Sequence, residues 1–115
     1  MTTNYLKVLQ ESLQKKKEIL ESILKASEKQ REIVSAEVVD WDAFDRGVEA
    51  KGVLIDQLMK LDEGFQNVYD HVKEELTVNK DRHKTSIAEM QNLIRAVTEL
   101  GVQVEALEVR NKALI

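Results

Sequence analysis

Cysteine and proline are both absent from the 115 residues. Without cysteine there is no disulfide framework, which agrees with a reducing compartment. Without proline the strongest interior helix breaker is missing, and helices are free to run long. Aromatic residues make up only 4% of the chain, and the apolar remainder is mostly Leu, Val and Ile. That set suits a narrow seam between helices better than a broad core. Long hydrophobic runs are lacking too: no segment approaches the ~18 uninterrupted apolar residues of a membrane span, and Met1 to Gln10 has no basic-then-apolar layout of a secretory signal. A soluble, cytoplasmic protein without membrane insertion is therefore expected.

Nor does one sign of charge dominate. Seventeen Lys and Arg face 21 Asp and Glu, a formal net charge of −4, which leaves no footprint for nucleic acid or anionic lipid. The one basic run, Lys15 to Lys17, has no interleaved aromatic residue and reads as a solvated helix face.

Catalytic and metal-binding signatures are equally scarce. There is no Gly-rich phosphate loop and no HExxH. The two histidines are His71 and His83; His71 has Glu74 and Glu75 within one turn, but the paired Glu-x-x-His motifs of a di-metal bundle are missing. Both are expected to be exposed. No catalytic residue, metal or cofactor is assigned, and an enzyme is not expected.

What remains is helical periodicity. Leu6, Leu9, Leu13, Lys16, Leu20, Ile23, Ser27, Gln30 and Val34 recur in steps of three and four, predicting a first helix from about Thr3 to Ser35. The pattern stops at Ser35 to Asp40, where Asp40 is placed to cap a second helix and Val39 and Phe44 occupy the two positions of a hydrophobic staple. The stripe Phe44, Val48, Lys51, Ile55, Leu58, Asp62, Phe65, Tyr69, Val72 and Leu76 then predicts a helix over about Trp41 to Val78. Its register passes unchanged through Gly47, Gly52 and Gly64, which either admit a neighbouring helix or are simply tolerated. Lys16, Lys51 and Asp62 interrupt the apolar stripes. They are expected to snorkel out of a thin core, the alternative being a buried ion pair that sets register. Trp41 is expected to pack over the end of the bundle, or else to anchor a partner.

Between Thr77 and Ser86 only Val78 is aliphatic, which predicts a turn. An unbroken helix from Trp41 onward would instead run about 110 Å. The third helix, about Arg82 to Ile115, carries Leu93, Leu100, Leu107 and Leu114 at intervals of seven, with Met90, Val97, Val104 and Asn111 between them. This pattern fits a two-stranded parallel coiled coil, and fits a helix packing inside its own bundle equally well. It runs into Ile115 without a Gly cap or Pro stop, which leaves open a tail beyond it. The expected fold is all-α: one domain over residues 1–115, an elongated antiparallel bundle of three long amphipathic helices with coiled-coil-like packing.

The layout of the first helix, the run Val39-Asp40-Trp41-Asp42-Ala43-Phe44-Asp45, the run from Ile55 to Phe65, and Ile94-Arg95-Ala96-Val97-Thr98-Glu99-Leu100-Gly101 resemble the small flagellar type III export chaperones of the FlgN kind and the related FliT kind. The resemblance covers most of the chain. It implies a cytoplasmic chaperone that holds hook–filament junction (hook-associated) proteins or the filament cap by their terminal helices until the export apparatus takes them. It also implies cargo binding in the C-terminal region, which makes Leu93, Val97, Leu100, Val104 and Leu107 the candidate partner-binding residues, although a core role fits them too. The alternative is a structural coiled-coil module whose third helix pairs with its own copy as a homodimer.

Overall fold

A computed structural model describes residues 2–114; Met1 and Ile115, the expected last residue of the third helix, lie outside the described residues. The chain forms α1 (Thr2–Val34), α2 (Trp41–Val78) and α3 (Lys84–Leu114), with a 3-10 turn at Lys80–His83 leading into α3. The molecule is a rod of 59 × 20 × 16 Å. Its radius of gyration of 17.8 Å exceeds the roughly 13 Å of a compact domain of this length.

The stops between helices have local causes. The Asp40 side chain accepts a hydrogen bond from the backbone N–H of Ala43 at 3.0 Å, satisfying one of the donors that a helix start leaves orphaned. At the other end of α2, the Asn79 amide donates to the Glu75 carbonyl at 2.8 Å, and the Arg82 N–H turns back to the Asn79 carbonyl at 3.1 Å. The chain therefore reverses at the polar segment, as its lack of apolar residues predicts.

α1 occupies the middle of the fold. It runs antiparallel to α2 and parallel to α3, and it packs along both. No Cα of α2 lies within 8 Å of one of α3, so the two outer helices share α1 without closing on each other. The stripe predicted on α1 is the one that it buries: Leu6, Leu9, Leu13, Leu20, Ile23, Ser27 and Gln30 all face inward.

The core changes character along the rod. Near the α2–α3 turn it is apolar, built from Leu6, Leu9, Leu13, Val72, Leu76 and Met90, with Phe65, Val68 and Leu93 packed against it. Towards the α1–α2 connection it becomes polar, and Ser27, Gln30, Lys51 and Asn111 are buried there. Contrary to the expectation that it snorkels, Lys51 is buried, because partners reach it inside. Its ammonium donates to Gln30 Oε1 at 2.8 Å and pairs with Glu108 at 2.5 Å. The Lys16–Asp62 pair, at 2.8 Å, is by contrast partly solvated.

Both histidines differ in setting. His71 is exposed, with its ring stacked on Tyr5 at 6.0 Å between centroids. His83 is not: its side chain is only 10% exposed and lies 3.5 Å from the Glu75 carboxylate, because the 3-10 turn folds it back onto α2. Trp41 is 56% exposed and meets the Phe44 ring edge-on at 5.5 Å, so it does not bury itself over the bundle end.

Candidate partner-binding site

On α3, the predicted site residues lie on the face turned to α1. Val97 and Leu107 are each only 8% exposed, while Leu93, Leu100 and Val104 are half-buried. The heptad stripe thus packs within its own chain. Asn111, on the same stripe, donates to the Ser27 carbonyl at 2.9 Å and lies 3.3 Å from Gln30 Oε1. These bonds hold the C-terminal half of α3 on α1. Among the described residues nothing hydrogen-bonds the Asn111 side-chain oxygen.

Glu108 completes this polar layer. It accepts hydrogen bonds from Ser27 at 2.6 Å and from Lys51 at 2.5 Å. Burial by itself pushes its carboxyl up. The hydrogen bonds from Lys51 and Ser27, with the positive charges of Lys51 and Lys112, outweigh that and hold it below the usual carboxylate value.

Apolar surface remains exposed on the two outer helices. On α2, the residues that pack inward at the intermediate positions are Gly47, Leu54, Leu61 and Val68, half-buried against α1, and not the predicted Val48, Ile55, Asp62 and Tyr69, which are exposed. Val48, Ile55 and Tyr69 therefore stand one step outside the core, at 45%, 42% and 39% exposure. Trp41 falls seven residues before Val48, in the same column. On α3, Ile94, Val102 and Val109 are exposed.

A cleft of about 210 Å³ lies where α2 and α3 diverge over α1, lined by Leu13 and Lys16 below and by Asp62, Phe65, Ile94 and Val97 at the sides. Val97 is thus the predicted residue that touches both the core and this opening. The stripe pattern places Val48, Ile55 and Tyr69 of α2 in the core, so periodicity alone does not mark them as exposed. The signal for them was the doubling of apolar residues at Leu54-Ile55 and Val68-Tyr69, which gives a stripe wider than one partner helix needs.

The family model described as FlgN protein matches residues 1–115, the whole chain. The chain belongs to the FlgN family. No curated protein and no solved structure matches it. FlgN proteins are flagellar export chaperones, a non-enzymatic class whose partners are proteins. The elongated all-α fold of this FlgN chain agrees with that class, and no helix among its described residues is long and apolar enough to cross a membrane.

Proposed function

We propose that this FlgN-family protein is a cytoplasmic chaperone that binds the terminal amphipathic helices of hook–filament junction (hook-associated) proteins and keeps them unassembled before type III export. The observation that carries this reading is the exposed apolar surface on α2 and α3, beside a family match over the full chain. An export substrate must hide the apolar face of its terminal helix, and an open helical groove is a means of covering one. The cargo engages α3, where Val97 lines the cleft from the side and Leu93, Leu100, Val104 and Leu107 continue its stripe along the face turned to α1. The export apparatus is a second partner in this reading, since loaded cargo must be handed on.

Calorimetric titration with the C-terminal helical segment of a hook–filament junction protein from the same organism tests it. Saturable binding at a defined stoichiometry supports the chaperone. Absence of binding together with a tight homodimer instead supports a coiled-coil module, a reading that Asn111 disfavours because it is spent on Ser27 within the same chain.

A further inference from the structure

The gap between α2 and α3 has a chemical asymmetry. Asp62 and Phe65 line the cleft from α2, and Ile94, Val97 and Thr98 line it from α3. Seven-residue steps from Asp62 lead to Ile55 and Val48, so the exposed apolar column of α2 continues along the groove wall. Met59, 60% exposed, stands one turn beyond Ile55 and adds an adaptable side chain. On α3, Gly101 falls midway between Ile94 in the cleft and Glu108, which reaches across to Lys51 of α2. Gly101 and Gly52, one on each wall, have nothing within 4 Å of where a Cβ would be. No neighbour within the chain uses the space that they leave.

Outside the apolar column of α2 runs an acidic one. Asp42, Glu49, Asp56 and Glu63 follow each other at intervals of seven, and all are exposed. None of the ion pairs among the described residues involves them. A row of like charges along one lip repels a helix flanked by acid and attracts one flanked by base. Wider openings of about 300 and 400 Å³ lie between α1 and α2, and one of about 760 Å³ lies between α1 and α3, where Glu28, Arg31, Glu32 and Arg110 stand among Leu24, Ala106 and Leu107 and no single-sign charged row flanks the apolar residues.

We propose that the α2–α3 groove seats an amphipathic helix of about 20 residues, ~30 Å long, with Lys or Arg along the flank that lies against α2. The bound helix becomes the fourth of a bundle, resting on α1 and covering Ile55 and Ile94. This rests on the export-chaperone reading and adds to it the groove, the orientation of the charged flank and the cargo chemistry.

The test uses the full chain and the C-terminal helical peptide of a hook–filament junction protein. A photo-crosslinking amino acid is placed at Ile55, at Ile94 or, on the far side of α3, at Gln103. Crosslinks from the first two positions and not from Gln103 are expected. In parallel, the double substitution Asp56→Lys with Glu63→Lys should weaken the peptide tenfold or more at low salt, and a peptide whose basic flank is changed to Glu should regain affinity for that variant. These positions are exposed, so circular dichroism should be unchanged. Crosslinking at Gln103 alone, or equal affinity of the charge-swapped pairs, overturns the groove while leaving the chaperone reading intact. Failure of the unmodified protein to bind any junction-protein helix overturns that reading and the groove with it.

Discussion

Lys51 of α2 and Glu108 of α3 meet at 2.5 Å across α1, with Ser27 and Gln30 of α1 completing their hydrogen bonds. Among the described residues this pair is the polar link between two outer helices whose backbones stay apart, beside the apolar cluster that they share over α1. The two partners are unequally buried, with side chains 10% and 35% exposed. Their removal should therefore be unequal. Glu108→Ala leaves the Lys51 ammonium buried with only Gln30, and should cost about 2–3 kcal/mol, somewhat below the range for a fully buried pair because water reaches Glu108. Lys51→Met removes the buried charge and leaves a carboxylate that water can solvate, so it should lie within about 1 kcal/mol of neutral. Urea unfolding of the two variants checks the order.

The same carboxylate sets an acid dependence. Its folded-state pKa lies below the ordinary 4.5, so the stabilisation is complete above that value and is lost as pH falls through the depressed folded-state value. Thermal unfolding from pH 7 to pH 3 should show a loss of stability in the wild type that is smaller in Glu108→Gln.

Asp40 caps α2 through a single hydrogen bond to Ala43. Asp40→Ala should cost about 1 kcal/mol, and Asp40→Asn should retain most of the wild-type stability. Chemical denaturation of both variants reads this directly.

Gly101 sits in a helix, has no positive φ, and faces open space. Gly101→Ala should stabilise the free protein by about 0.5–1 kcal/mol, measured by thermal unfolding. A loss of stability there would show that the helix backbone is not free to accept a side chain.

Leu100 and Val97 separate packing from binding on α3. Leu100 is half-buried and Val97 is 8% exposed in the core. Leu100→Asp should abolish cargo binding while leaving helicity largely intact, since its carboxylate can turn to water. Val97→Asp places a charge where the side chain is only 8% exposed and should unfold much of α3. General unfolding of Leu100→Asp would assign that position to the core instead.

The reach of the sequence is clearest in the contrast between α1 and α2. On α1 the predicted stripe from Leu6 to Gln30 is the buried face, with Ile19, beside Leu20, buried in addition to it. On α2, Leu54 and Ile55 compete for one turn and Val68 and Tyr69 for another, and periodicity does not say which packs inward. The structure buries the first of each pair more deeply and leaves the second beside a gap that exists only because α2 and α3 diverge. Such a tertiary relationship is not encoded in either helix alone. Lys51 shows the same limit: whether a lysine in a stripe snorkels or pairs depends on Glu108, 57 residues away. The turn before α3 was legible because its cause is local, a run of polar residues closed by Asn79.

In the proposed function, this FlgN-family protein holds hook–filament junction proteins unassembled. The most direct measurement is light scattering from a full-length junction protein under assembly conditions, with and without a molar excess of the chaperone. Suppressed growth of the scattering signal, with a complex of fixed stoichiometry recovered from the same sample, is the predicted result. Assembly at the same rate and extent in the presence of the protein would overturn that function.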